Sequence, residues 1–222
     1  MTKRGNKYLG ICYIVGACHF ENVKINPSSG DYIIAADKGF SYLREIMIKP
    51  DIVIGDFDSL DIIPENENIV QHPIEKDDTD MMLAIKAGLD LGYKTFHIYG
   101  GLGGRLDHTY ANIQILVYLS IKGARGYLLD GDHIVTAITN EQILFSTEKK
   151  GVISVFSAGD IAKGVSLKGL KYQLENAVLT KDMPLGISNE FIDSESCISV
   201  EEGTLIIMWS DNNFETEPII SR

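Results

Sequence analysis

The sequence predicts an α/β protein of two domains: a mostly parallel, three-layer α/β domain over residues 1–138, then an antiparallel β-sandwich over residues 139–222. Two observations carry this expectation. Through the first half, short β-branched apolar runs alternate with segments whose apolar residues recur at helical spacing, the pattern of strands joined by crossover helices. From about His133 onward the helical period disappears, and short apolar runs alternate with turn residues. The change falls near Thr139–Gln142, with no Pro- or Ser-rich linker, so two closely packed domains are expected.

The elements follow in order. Tyr8 to Val15 is an apolar run of buried-strand type, and Tyr32 to Ala36 is a second. Phe40, Leu43 and Met47 fall at helical spacing, and Pro50 is expected to end that helix before a strand over Asp51 to Ile54. Ile69 to His72 reads as a short strand. Met82, Ile85 and Leu89 form one face of a helix stopping near Gly92, followed by a strand over Lys94 to Tyr99. Leu106, Tyr110, Ile113 and Val117 mark the apolar face of a long helix, and Gly126 to Asp130 closes this half as a strand. The second half contributes strand-like runs at Ile134–Ile138, Ile143–Phe145, Val152–Phe156, Val165–Leu167, Cys197–Val200 and Leu205–Trp209, punctuated by glycines. The polar tail from Asp211 reads as frayed.

Composition narrows the function classes. At 222 residues, 45% hydrophobic and 23% charged, the chain is that of a folded globular protein. A formal net charge of −11 argues against a grip on a nucleic-acid backbone, which draws on clustered Lys and Arg. Phosphorylated ligands stay open if a cation and local N–H donors invert the field at the site. Cys12, Cys18 and Cys197 form no C-x-x-C and indicate neither a zinc site nor a disulfide framework. Cys18 beside His19 is weighed as a nucleophile and base and set low, because sequence neighbours rarely form such a pair. No apolar stretch approaches a membrane span and no apolar signal region follows Met1, so a cytoplasmic protein without a membrane partner is expected.

Three segments can carry chemistry, and all sit where predicted strands end, the ligand-binding edge of an open parallel sheet. In Gly55-Asp56-Phe57-Asp58-Ser59, Asp56 and Asp58 are two apart and can face one point, which suits Mg²⁺; a self-bonded turn is the equal alternative. Lys76-Asp77-Asp78-Thr79-Asp80 opens a helix. Capping explains one or two of its acids, and Asp80 can complete a cation site with Asp56 and Asp58. Lys76 can reach a phosphate or simply be solvated. Gly100-Gly101-Leu102-Gly103-Gly104-Arg105-Leu106-Asp107-His108 combines glycines that admit phosphate oxygens with a helix N-terminus and the planar fork of Arg105. It is neither G-x-G-x-x-G nor a P-loop. His108 is as readily structural as functional. Together, carboxylates, a phosphate cradle and an Arg fork describe phosphoryl-type transfer.

These segments resemble the thiamine pyrophosphokinase family over nearly the whole chain. The resemblance rests on Ala36-Asp37-Lys38-Gly39, Pro50-Asp51, the three segments above, Asn112, Gly169-Leu170-Lys171-Tyr172-Gln173-Leu174 and Gly186-Ile187-Ser188-Asn189-Glu190. It implies pyrophosphoryl transfer from ATP to thiamine with Mg²⁺, by a homodimer with active sites between subunits. It also implies a catalytic α/β domain and a thiamine-binding β-sandwich. By matching position, Asp56, Asp58 and Asp80 are metal and catalytic acids. Asp37, Gly104, Arg105, Asp107 and His108 are nucleotide contacts, and Ser188, Asn189 and Tyr172 belong to the thiamine pocket. Lys38 and Met82 depart from the family pattern, where many relatives carry a glycine and an acid. Two rivals stand beside this reading. One is transfer to another alcohol, or plain nucleotide hydrolysis; the other is a nucleotide-sensing module without turnover.

Overall fold

A computed structural model describes residues 10–18, 25–55, 78–211 and 218–221, and the backbone of 69–71. Its contacts divide the chain into two compact units, Met1–Asn112 and Ile113–Arg222. The fold is mixed α/β, with a parallel set of strands in the first unit and a separate antiparallel sheet in the second.

The first unit holds β1 (Ile11–Val15), β2 (Tyr32–Ala36), α1 (Gly39–Glu45), β3 (Ile52–Gly55), β4 (Ile69–Gln71), α2 (Asp80–Asp90) and β5 (Thr95–Tyr99). The strands lie in the order β5-β1-β2-β3-β4, and each neighbouring pair is parallel. β1, β2 and β5 are buried along all but their first residue, which is why they read as unbroken apolar runs rather than alternations. The chain steps outward from β1 through β4 and then returns to the other side of β1 as β5. That reversal makes the carboxyl ends of β1 and β5 a topological switch point. At the opposite end, Asp51 accepts the N–H of Ile33 at 2.8 Å and Asp31 accepts that of Ile11 at 2.7 Å, so these acids fasten strand starts.

Three helix details depart from the expected pattern. α1 stops at Glu45, well before Pro50, because the chain closes it with a left-handed residue. Met47, at φ 57°, lets Ile48 N–H reach Leu43 C=O (2.9 Å) and Met47 N–H reach Arg44 C=O (3.1 Å). Met47 is therefore exposed rather than on the buried face with Leu43. In α2 Ile85 is buried as expected, but its companions are Met81, Ala84 and Gly88 rather than Met82 and Leu89. Gly88 decides this: a Cβ there would stand 2.6 Å from the Phe96 ring and 2.9 Å from the Cys12 sulfur, so the helix packs tightest on a residue that no apolar pattern marks. α3 (Leu106–Ile121) buries Asn112, Ile115, Leu116 and Leu119 and exposes Leu106 and Tyr110. It is apolar nearly all round, which leaves its period ambiguous, and the gap over Gly126, filled by Leu116 and Leu119, chooses the face.

Past α3 every described element is a strand: β6 (Arg125–Asp130), β7 (His133–Thr139), β8 (Gln142–Phe145), β9 (Val152–Ser157), β10 (Ile161–Lys168), β11 (Leu174–Thr180), β12 (Gly186–Glu190), β13 (Ser196–Ser199), β14 (Thr204–Ser210) and β15 (Ile219–Ser221). One antiparallel series runs β12-β9-β14-β7-β6, and the separate sheet runs β11-β10-β13-β8-β15. Phe145 of β8 meets both Trp209 of β14 and Phe191 edge-on, each at 5.3 Å between ring centroids. Three strands were not expected. β11 and β12 are edge strands, the first largely exposed and the second broken by a register shift. β15 pairs with β8 inside the tail expected to fray.

Candidate active site

The site is built first by glycines that no other residue can replace. A Cβ on Gly39 would fall 1.8 Å from the carbonyl oxygen of Val15, so the start of α1 rests on the exit of β1. Gly16 and Gly100 approach each other just as closely: a Cβ on Gly16 would meet the Gly100 carbonyl oxygen at 2.7 Å, and the reverse contact is 2.6 Å. Backbone thus meets backbone where β1 and β5 end. Beside this junction opens a pocket of about 280 Å³, bounded by Asp37, Asp78, Asp80, Cys18, His108 and Asn112.

Asp37 follows β2 in a left-handed conformation, φ 52°, and donates its N–H to Ile54 C=O at 2.9 Å. Aspartate tolerates this region better than most residues, yet the strain still marks a position fixed by its surroundings. Gly55, the last residue of β3, lies against it, since a Cβ there would be 3.3 Å from Asp37 Cα. Across the pocket, Thr79 caps α2 by accepting Met82 N–H at 3.2 Å, and Asp80 opens the first turn, where the helix dipole favours an acid. Asp78 is engaged by Lys86 at 2.6 Å.

Asp56 and Asp58, with Lys76 and Asp77, lie outside the described residues. Among the described residues no group of three or more His, Cys, Asp or Glu is gathered as a metal would require. What is present fits a hard cation in kind: Asp37 and Asp80, both bearing carboxylates, line one pocket, and Gly55, which precedes Asp56 in the chain, lies against Asp37.

The glycine loop leaves β5 through Gly100 (φ 63°) and reaches α3 through Gly103 (φ 78°) and Gly104 (φ 61°). Arg105 forms a two-pronged contact with Asp107, Nε to Oδ1 at 3.2 Å and Nη2 to Oδ2 at 2.6 Å, and both side chains are exposed. The hydrogen bond from Arg105 is the main reason the Asp107 carboxyl sits below the usual carboxylate range, and the same bond raises the guanidinium. The fork is therefore preformed on a carboxylate, the shape it would present to a phosphate. His108, Ala111 and Asn112 line the pocket from one face of α3. Of these, Asn112 donates to Gly101 C=O at 2.7 Å.

In the second unit, Tyr172, Ser188 and Asn189 are neighbours. Asn189 is buried and clamps Tyr172, accepting its N–H at 2.9 Å and donating to its C=O at 2.6 Å. Ser188 is exposed at φ 56° and donates its N–H to Ser154 Oγ at 3.1 Å. Lys171 pairs with Glu190 at 2.7 Å and holds its ammonium 5.5 Å from the Tyr172 ring centroid, on the kind of aromatic face a cationic ligand would use.

Sequence reasoning missed Cys18 and Asn112 as pocket residues in their own right. Asn112 carried a signal, because it falls four residues after His108 and so shares its helix face. Cys18 carried none beyond lying three residues past a strand. Its weighed partnership with His19 falls on a residue outside the described ones.

An open parallel sheet with acids and a glycine loop at its switch point, in a chain whose second unit is antiparallel, suits a transferase of the pyrophosphokinase type. A family model described as thiamin pyrophosphokinase, catalytic domain, matches residues 26–128, and one for the thiamin pyrophosphokinase vitamin B1 binding domain matches residues 140–205. A thiamine pyrophosphokinase of Bacillus subtilis is 34% identical over 188 residues, 80% of this chain and 86% of its own. A thiamin pyrophosphokinase of Caenorhabditis elegans is 28% identical over 160 residues, 66% of this chain and 64% of its own. The crystal structure of the Bacillus subtilis thiamine pyrophosphokinase superposes with a TM-score of 0.79 at 27% identity, covering 92% of this chain and all of that one. The chain belongs to the thiamine pyrophosphokinase family.

Proposed function

We propose that this protein transfers the pyrophosphoryl group of ATP to the hydroxyl of thiamine, giving thiamine diphosphate and AMP. The observation that supports it most is the meeting, in one strand-end pocket, of Asp37 and Asp80 with the glycine loop and the start of α3. In this reading Asp56, Asp58 and Asp80 hold Mg²⁺, with Asp37 beside them. The cation, when bound, offsets charge on the phosphate oxygens. Gly104 and the loop N–H groups receive phosphate oxygens, and Arg105 turns its fork from Asp107 toward the charge that develops on the transferring group. His108 bounds the nucleotide from α3. Ser188 and Tyr172 meet thiamine, with Asn189 holding Tyr172 in place.

The same reading includes a three-layer α/β domain over 1–138, a β-sandwich over 139–222, a homodimer with active sites between subunits, and a cytoplasmic setting. No helix among the described residues is long and apolar enough to cross a membrane. The test is to incubate pure protein with Mg-ATP and thiamine and to identify the products by mass. AMP with thiamine diphosphate is expected. ADP with a monophosphate ester, or nucleotide cleavage indifferent to thiamine, would replace the reading with one of its rivals.

A further inference from the structure

We infer that Thr109 and Asn112 are positioning residues that turn two carbonyls of the glycine loop, those of Gly101 and Gly103, away from a bound phosphate and leave the loop's N–H groups to meet it. The loop's carbonyls are tied back at three points. Gly100 C=O accepts the N–H of Cys18 at 3.1 Å, Gly101 C=O accepts Asn112 Nδ2 at 2.7 Å, and Gly103 C=O accepts the Thr109 hydroxyl at 3.0 Å. The Cys18 thiol reaches the same Gly103 oxygen at 3.5 Å. Thr109 has one hydroxyl proton, and its alternative acceptor, Arg105 C=O, is farther at 3.4 Å, so Gly103 is its partner.

The donors of the loop are treated in the opposite way. Among the described residues none accepts a hydrogen bond from the backbone N–H of Gly101, Leu102, Gly103 or Gly104. A carbonyl oxygen facing a phosphate repels it, whereas an N–H attracts it. With the Gly100, Gly101 and Gly103 carbonyls bound and the N–H groups of Gly101 to Gly104 available, the loop is biased toward an anion before any arrives. The left-handed glycines at 100, 103 and 104 permit this arrangement, but permissive residues do not choose one conformation among many. Thr109 and Asn112 supply the choice, since both sit on α3, where they are fixed relative to the loop they hold. Asn112 is buried, so its amide has no water to compete for it.

The inference rests on the proposed role of this loop in binding ATP, and the experiment separates the two. Affinity for a non-hydrolysable ATP analogue with Mg²⁺ is measured by calorimetry, with steady-state kinetics and a thermal melt alongside, for Thr109→Val, Thr109→Ser, Asn112→Asp and Arg105→Ala. Thr109→Val keeps the shape and removes the donor. It should weaken the analogue about three- to tenfold, the size of one lost hydrogen bond, while the Michaelis constant for thiamine holds. Thr109→Ser restores the hydroxyl and should recover most of that loss. Asn112→Asp sets a charge against a carbonyl and should cost at least as much; if it fails to fold, the two Thr109 variants decide alone. Parent-like affinity in Thr109→Val, failure of Thr109→Ser to recover, or equal losses for both substrates overturns the positioning role. If Arg105→Ala weakens the analogue in that case, the ATP reading survives. If Arg105→Ala also binds as the parent does, the ATP reading of the loop falls with it.

Discussion

Asn189 grips Tyr172 by its backbone, taking its N–H at 2.9 Å and giving a proton to its C=O at 2.6 Å, and its Oδ1 also accepts the N–H of Glu190 at 2.9 Å. The side-chain amide therefore spends its acceptor and one donor on the protein. Asn189→Ala would take these partners from part-buried backbone groups of Tyr172 and Glu190, and the expected cost is about 0.5–1.5 kcal/mol, the net worth of a typical hydrogen bond. It should also weaken thiamine use by loosening Tyr172. Ser188 is exposed, so Ser188→Ala should weaken thiamine use without a change in melting temperature. Melts and thiamine titrations at saturating ATP check both. Unchanged thiamine kinetics in two well-folded variants would place the substrate pocket elsewhere.

The acids make a second test. Asp→Asn at Asp56, Asp58 or Asp80 keeps shape and removes charge. Each should lower the rate at least about a hundredfold, the scale of one lost transition-state electrostatic contact. For Asp80 a small stability loss is added, about 0.3–1 kcal/mol, because it complements the first turn of α2. Near-parent Mg²⁺-dependent turnover in any variant removes that residue from the cation site.

Arg105 and Asp107 give a pH expectation. The Arg105 hydrogen bond depresses the Asp107 carboxyl, so whatever this exposed pair contributes is present above the ordinary carboxylate value of roughly 3.9. It is lost only as pH falls through the lower, folded value. Neither partner titrates near neutrality. Arg105→Lys, which keeps charge but loses the planar fork, should raise the Michaelis constant for ATP or lower turnover. The ratio of variant to parent should stay flat from roughly pH 7 to 9. A break in that ratio would mean a third titrating group acts through Arg105.

Much of this was legible in the sequence, and the part that was not has physical causes. Buried parallel strands must be apolar end to end, so β1, β2 and β5 announced themselves, and the segments following them held the pocket. Helix faces were less legible. Gly88 and Gly126 decide how α2 and α3 are turned, because a missing side chain allows close approach and carries no hydrophobic signal of its own. Edge strands β11 and β12 bury little and so do not alternate. In the site, residue types pointed to phosphate and cation, but not to which polar side chains are spent on the backbone. Asn112 and Asn189 both hold carbonyls, which only coordinates reveal.

Met47 offers a last test, confined to stability. The three helices among the described residues end in the same way, with a left-handed residue that lets the following N–H reach back to the last turn. For α2 that residue is Gly92 (φ 96°), with Tyr93 N–H on Gly88 C=O at 3.1 Å; for α3 it is Gly123 (φ 67°), with Ala124 N–H on Leu119 C=O at 2.9 Å. For α1 it is Met47 at φ 57°, where a Cβ costs on the order of 1 kcal/mol. Its side chain is 93% exposed, so removing it forfeits almost no packing. Glycine would relieve the strain but also widen the unfolded ensemble, so the net gain expected for Met47→Gly is about 0.5 kcal/mol, less than the strain itself. A small upward shift in melting temperature, with turnover unchanged, is the expected result, since Met47 does not line the pocket. A lower melting temperature would mean that the freedom glycine adds to the unfolded chain outweighs the strain it relieves, and that the left-handed turn is not where α1 stores strain.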